Sequence, residues 1–190
     1  MKLVPTASQT VGPYFYLGLT GPRSTGCLAG PNAQGEPITI TFRVLDGEGQ
    51  PVPDAMLEIW QANAAGKYNH PEDTQAKPLD PGCEGYGRMG TDAAGGCEFQ
   101  TIKPGRVEGP KDRLQAPHLN LSVFARGLLK RLATRVYFSG EAANDEDFAL
   151  SLVPAERRAT LLANPEPSQP GRWRFDIHLQ GEQETVFFDV

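Results

Sequence analysis

His118 and Asn120 come nearer to a metal-binding motif than any other pair in this chain. From residue 118 to residue 123 polar and apolar side chains alternate without interruption, which predicts a half-buried β-strand. Side chains two residues apart on a strand share a face, with Cα atoms roughly 6.5–7 Å apart, so both could reach one metal ion. An asparagine is a far poorer ligand for a transition metal than a second histidine. The pair therefore indicates either a metal site that has lost one ligand or a buried, hydrogen-bonded histidine.

The other two histidines and Arg126 lie in contexts that favour ordinary surface roles. His178 belongs to an alternating stretch at 174–180, on its polar face, and His70 lies in a long loop. Arg126 follows the strand of His118. It is either one half of a surface salt bridge or, through its planar guanidinium, a receptor for a carboxylate. The chain has no Gly-x-Ser-x-Gly nucleophile elbow and no Cys-x-x-Cys pair.

Length and composition favour one domain built from short strands. The chain has 190 residues, with 21 glycines, 17 prolines and a net charge of −5. Scattered glycine and proline suit strands separated by turns and argue against a helical bundle. The acidic balance gives no basic footprint for nucleic acid. Without an apolar leader or a membrane-length apolar stretch, and with three unpatterned cysteines, the chain is predicted to be cytoplasmic with reduced thiols.

The pattern along the chain predicts an all-β sandwich at residues 38–190 behind an N-terminal arm at residues 1–37. The arm shows no regular pattern and contains an aromatic cluster at 14–16, which is expected to pack on its own domain or on a neighbour. Residues 63–92 are predicted to form a long loop, which in a compact domain is usually functional or interfacial. Strands are predicted at 38–45, 55–60, 97–102, 118–123, 134–138, 174–180 and 185–188, with one helix at 154–163.

Six segments together resemble the intradiol ring-cleavage dioxygenases. They are SQTVGPY at 8–14, LEIWQANAAGKY at 57–68, TIKPG at 101–105, APH at 116–118, RFDI at 174–177 and GEQETVFFD at 181–189. Other transthyretin-like sandwiches share the Asp-Gly turn and the Thr-x-x-Pro-Gly ending, but not the block at 57–68. The resemblance covers nearly the whole chain. It implies a transthyretin-like β-sandwich and a non-haem ferric enzyme that uses dioxygen to open a catechol ring between its two hydroxyls.

The catalytic chains of that family bind Fe(III) through two tyrosines and two histidines, and this chain matches half of that set. Tyr68 matches the first tyrosine and His118 the first histidine. Val107 stands where the second tyrosine is expected, and Asn120 replaces the second histidine. Gln115 replaces an arginine expected three residues before the first histidine. The resemblance therefore implies that this chain holds no metal by itself and that Tyr68 and His118 are remnants of an iron site.

Within the family, the resemblance is to the metal-free alpha chain of a two-chain enzyme. It implies a catalytic beta chain of the same fold as the partner, with Fe(III) on that partner, in a larger alpha/beta assembly. The arm at 1–37 is then expected to pack on the partner. The residues expected to line the partner's site, where a catechol acid binds, are Thr10, Gly12, Pro13, Tyr14 and Arg126. Two alternatives stay open: a non-enzymatic sandwich binding module, and a stand-alone ferric dioxygenase with an incomplete ligand set.

Overall fold

Eight strands form a single mixed sheet in the computed structural model, which describes residues 3–21, 24–110 and 113–190. The sheet order is β3-β2-β5-β6-β7-β8-β1-β4, and the short strand β7 joins the two halves. The prediction of an all-β fold is confirmed. The strands are β1 (Pro37–Leu45), β2 (Met56–Trp60), β3 (Tyr86–Gly90), β4 (Gly96–Ile102), β5 (His118–Phe124), β6 (Leu132–Phe138), β7 (Leu162–Pro165) and β8 (Arg172–His178).

The sheet folds back on itself so that the apolar faces of its two halves pack together as a sandwich. Alternate residues of each strand enter this core, which is the pattern that the period-two alternation predicts. Each large apolar side chain buried there contributes roughly 1.5–3 kcal/mol. The core includes Leu57, Ile59, Leu119, Leu121 and Val123 from one half and Ile40, Phe42, Val44, Phe99 and Phe175 from the other.

Residues 25–29, in the second half of the arm, cover the gap between the two edge strands. Thr25 pairs with Arg88 of β3, and the backbone N–H of Leu28 donates to the carbonyl of Gln100 in β4 at 2.9 Å. These bonds nearly close the sheet into a barrel. They also satisfy backbone groups that an open edge would expose to other chains.

The helices differ from the prediction in number and type. Helix α1 (Pro13–Leu19) lies in the arm, for which the sequence predicts no regular structure, and α2 (Phe148–Ser151) is a single turn. Two 3-10 helices span Ala142–Glu146 and Ala155–Leu161. The helix predicted at 154–163 is wrong in type and end, because Leu162 already pairs with β6 as the first residue of β7. No helix in the described part of the chain is long or apolar enough to cross a bilayer.

Strand β3 lies inside the stretch at 63–92 that the sequence predicts to be a loop. Its residue Gly87 has no room for a side chain, since a Cβ there would lie 2.8 Å from the carbonyl oxygen of Thr25. Glycine lowers the β-propensity of the segment, although close packing against residues 25–28 requires it. This strand therefore forms because of its tertiary contacts and not because of its local sequence pattern.

The strand predicted at 185–188 is also wrong, because the segment makes only one bridge, between Phe188 and Ala133. The hydroxyl of Thr134 donates to the carbonyl of Val186 at 2.7 Å, so a side chain takes the place of a backbone ladder. The segment follows β6 without becoming a strand of the sheet.

Candidate functional site

His118 and Asn120 share the outer face of β5, and Asn120 brings Tyr68 to the same place. The side-chain amide of Asn120 donates to the phenol oxygen of Tyr68, with 3.0 Å between Nδ2 and Oη. The ring of Tyr68 stacks on the indole of Trp60, which lies opposite Asn120 in the pairing of β2 with β5. We call Tyr68, His118 and Asn120 the remnant site.

The imidazole of His118 is buried and its orientation is fixed by one hydrogen bond. Its Nδ1 lies 2.7 Å from the backbone oxygen of Ala116. Because a carbonyl oxygen only accepts, Nδ1 donates and Nε2 keeps its lone pair. Burial, followed by the charge of Arg135, lowers the pKa of His118 to about 4. The imidazole is therefore neutral at pH 7.

Arg135 of β6 brings a positive charge to the remnant site. It pairs with Asn120 across β5 and β6, so both side chains lie on the outer face. Its Nη1 donates to Oε1 of Gln115 at 2.7 Å and to Oη of Tyr137 at 3.4 Å. Burial raises the pKa of Tyr68, and the Asn120 hydrogen bond and the Arg135 charge offset part of that rise. No motif marks Arg135 in the sequence, since only strand pairing places it there.

Tyr137 and Asp147 continue the same network into the interior. Both are fully buried, and the phenol of Tyr137 donates to Oδ1 of Asp147 at 3.0 Å. The carboxylate also accepts from the backbone N–H groups of Ala116, at 2.7 Å, and Leu150, at 2.8 Å. Burial raises the pKa of Tyr137. Asp147 thus fixes the backbone of Ala116, and the carbonyl of Ala116 in turn orients His118.

The donors at the remnant site do not fit a ferric ion. Within residues 3–21, 24–110 and 113–190, no three His, Cys, Asp or Glu side chains are grouped as a metal site. Val107 is buried, its carbonyl accepts from the N–H of Gln115 at 2.8 Å, and its side chain has no ligand atom. The amide nitrogen of Asn120 already faces Tyr68. Tyr68 and His118 alone offer too few donors for Fe(III).

A buried ion pair orders the loop that carries Tyr68. Nζ of Lys67 lies 3.2 Å from Oδ1 of Asp73, and the two side chains are only 9% and 7% exposed. Oδ2 of Asp73 accepts from the N–H of Tyr68 at 2.8 Å. Burial would raise the pKa of Asp73, but hydrogen bonds from the N–H groups of Gln75 and Tyr68, with the Gln75 and Lys67 side chains, lower it to about 2. Polar contacts therefore hold a loop that has no sequence periodicity.

Four of the five residues predicted to line a partner's site gather at the far end of β5. Gly12, Pro13 and Arg126 line one hollow of about 400 Å³. Thr10 lies next to it, where its hydroxyl accepts from the backbone N–H that follows Arg126 at 2.7 Å. Tyr14 is not part of the lining and is 86% exposed. Its side chain is therefore open to solvent.

Helix α1 forms one wall of that hollow, and two aromatic contacts hold it in place. The ring of Phe15 packs on Phe124 of β5, with 5.4 Å between centroids. The phenol of Tyr16 donates to the carbonyl of Thr91 at 3.1 Å. Arg126 and Asp54 also line the hollow, where Nε of Arg126 lies 3.1 Å from Oδ2 of Asp54 while the arginine side chain stays 70% exposed. Arg126 therefore forms a surface salt bridge and still presents donors to solvent.

His70 and His178 do not join the remnant site. His70 is exposed and meets Trp60 edge-on, with 6.1 Å between ring centroids. His178 lies at the end of β8, where it lines a polar hollow of about 710 Å³ together with Arg174 and Asp176. The three cysteines are free thiols.

Comparison with known proteins agrees with the fold. A family model described as dioxygenase matches residues 11–181. The chain is 46% identical to the protocatechuate 3,4-dioxygenase alpha chain of Burkholderia cepacia, over 99% of this chain and 98% of that relative. The chain belongs to the intradiol dioxygenase family.

Two further matches show how much of the chain the similarity covers. The protocatechuate 3,4-dioxygenase beta chain of Burkholderia cepacia is 39% identical over 158 residues, which cover 80% of this chain and 67% of that relative. Among solved structures, the dioxygenase domain of a dioxygenase–carbohydrate-binding fusion from Streptomyces sp. SirexAA-E is 28% identical, with a TM-score of 0.63. That match covers 93% of this chain and 99% of the domain. The intradiol dioxygenase scaffold thus spans nearly the whole chain.

Proposed function

We propose that this chain is the alpha subunit of a protocatechuate 3,4-dioxygenase, paired in the cytoplasm with a beta chain that holds Fe(III). The complex cleaves protocatechuate between its two hydroxyls with dioxygen. The product is 3-carboxy-cis,cis-muconate, in the beta-ketoadipate pathway of aromatic catabolism. One observation carries the proposal: full-length similarity to an alpha chain coincides with donors at Tyr68 and His118 that do not fit iron.

The arm supports a role in binding the partner chain. Helix α1 exposes Tyr14 at 86% and Leu17 at 66%, and the extended residues before it expose Leu3 and Val4. Clusters of exposed apolar side chains are typical of protein–protein contacts. The arm therefore offers the beta chain an apolar surface beside the 400 Å³ hollow.

The residues of the hollow suit an aromatic acid bound in the partner's site. Nothing lies within 4 Å of where a Cβ of Gly12 would be, so the arm presents open backbone at that point. Arg126 is the cation in the lining, and a guanidinium binds a carboxylate through two parallel hydrogen bonds. Thr10 fixes the arm against the turn that carries Arg126. These contacts favour a catechol that carries a carboxylate.

Co-expression with the beta chain from the same genome tests the proposal. We expect iron, the red-brown colour of tyrosinate-to-ferric charge transfer and ring cleavage only in the co-purified complex, with iron in proportion to the beta chain. Colour in the isolated chain would instead support a stand-alone ferric enzyme. A chain that takes neither partner nor iron would be a sandwich binding module.

The substitution Tyr68→Phe distinguishes a remnant from a working ligand. It removes one hydrogen bond, to Asn120, so we expect it to lower the free energy of unfolding by about 0.5–1.5 kcal/mol. Iron content and kcat of the complex are expected to stay unchanged. Denaturant unfolding, metal analysis and turnover measure the three quantities. If this variant lost iron or activity, the site in this chain would be a working one.

A further inference from the structure

The outer face of β5 and β6 places a guanidinium among the residues that match metal ligands. His118 lies opposite Tyr137 and Asn120 lies opposite Arg135 in this pairing. Opposed side chains of antiparallel strands have Cβ atoms roughly 4.5–5.5 Å apart, so all four side chains are neighbours on one face. Tyr68 joins them through Asn120. Arg135 therefore supplies the positive charge in this cluster, by which we mean the remnant site together with Arg135 and Tyr137.

The hydrogen bonds of Arg135 go to neutral oxygens. Nη1 donates to Gln115 and Tyr137. Among the residues that the structure describes, Arg135 belongs to none of the ion pairs within 4.0 Å. Gln115 stands where the family resemblance leads us to expect an arginine. The cluster thus contains an arginine, but this arginine is Arg135 of β6 and not a residue of the segment before β5. Its charge also acts on both donors: burial raises the pKa of Tyr68 and Arg135 offsets part of that rise, whereas burial and then Arg135 lower the pKa of His118.

The two donors that remain are still arranged as metal ligands are. A metal-binding histidine usually donates its second ring nitrogen to a carbonyl or carboxylate, and Nδ1 of His118 donates in this way to Ala116. The phenol of Tyr68 is held by Asn120 and by its stacking on Trp60. Val107 and Asn120 stand where the family resemblance leads us to expect two further ligands, which lowers metal affinity but leaves two oriented donors that a cation could approach.

We propose that Arg135 closes the remnant site to metal ions. Its guanidinium takes the place of the metal's positive charge among Tyr68, His118 and Tyr137, and it repels any cation that these donors attract. This inference concerns the site in this chain and not the iron of the partner. It goes beyond the proposed function, and either can fail while the other stands.

Cobalt binding by the full-length chain tests the role of Arg135. Asn120→His adds a third donor on the face of Tyr68 and His118, and Co²⁺ is followed by its visible spectrum and by calorimetry. We expect Asn120→His alone to bind Co²⁺ weakly, and Asn120→His/Arg135→Gln to bind it at least tenfold more tightly. The control Asn120→His/Arg174→Gln removes the same charge from β8 and should bind as weakly as Asn120→His.

A lysine variant separates charge from shape. Asn120→His/Arg135→Lys keeps the charge, so it is expected to bind Co²⁺ as weakly as Asn120→His. Equal affinity with and without Arg135→Gln would overturn the proposal, and so would tight binding by the lysine variant. Thermal unfolding checks each variant first. If Asn120→His does not fold, Asn120→Asp, which keeps the size of the side chain, is compared with Asn120→Asp/Arg135→Gln under the same expectations.

Discussion

Replacing Arg126 by alanine is expected to raise the KM of the alpha/beta complex for protocatechuate roughly 10- to 100-fold, because a hydrogen bond to a charged group contributes about 1.5–3 kcal/mol. Arg126 is 70% exposed at the rim of the hollow, and its contact with Asp54 involves Nε. Its terminal nitrogens therefore remain for a carboxylate. Catechol, which lacks the carboxylate, should bind the variant and the parent complex equally well. Steady-state kinetics with both substrates measure the difference.

Two further variants make the Arg126 experiment specific. Arg126→Lys keeps the charge but loses the planar fork, so its KM should lie between those of the parent and Arg126→Ala. Arg174→Ala removes another exposed arginine, one paired with Asp176 at 2.9 Å, and should leave KM unchanged. A KM that does not change in Arg126→Ala would leave the salt bridge with Asp54 as the whole role of this arginine.

The strands with one buried face could be predicted from the sequence, whereas β3 and α1 could not. In β5 the alternation is complete because Leu119 and Leu121 must face the core while Asn120 faces outward. Strand β3 and helix α1 depend on each other: a Cβ on Gly90 would lie 2.6 Å from the ring of Tyr16. Glycine weakens the strand signal, and the aromatic helix is too short to show a helical period. Strand β3 and helix α1 are therefore determined by their packing on each other, which the local sequence pattern does not show.

The same limit applies to the remnant site. Tyr68 and His118 could be found from their match to a ligand pattern, and the poor fit for iron follows from Val107 and Asn120. Arg135 could not be found, because its position opposite Asn120 depends on the register of β5 with β6. The predicted roles of Thr10, Gly12, Pro13, Tyr14 and Arg126 depend on a second chain, and they stay predictions. Sequence patterns thus locate donors, and strand pairing decides which charge lies among them.

Gly66→Ala is expected to lower the free energy of unfolding by about 3 kcal/mol or more, because strained backbone and a steric clash act together. Gly66 has a φ of +79°, and a Cβ there would lie 1.9 Å from the carbonyl oxygen of Arg106. The backbone cannot easily move away, since the N–H groups of both Gly66 and Gly105 donate to the carbonyl of Asn63 at 2.9 Å. Urea unfolding of the full chain measures the loss.

Gly140→Ala is the matched control for this experiment. Gly140 has a φ of +77° but nothing within 4 Å of its Cβ position, so alanine there adds strain of only about 1–2 kcal/mol. The difference between the two variants isolates the close approach of residues 63–66 to residues 104–106. That approach fixes the backbone two residues before Tyr68, so Gly66→Ala should also change the fluorescence of Trp60, on which Tyr68 stacks. If both variants lost the same stability, backbone conformation alone would explain Gly66, and the polar contacts of Lys67 and Asp73 would be what holds the loop.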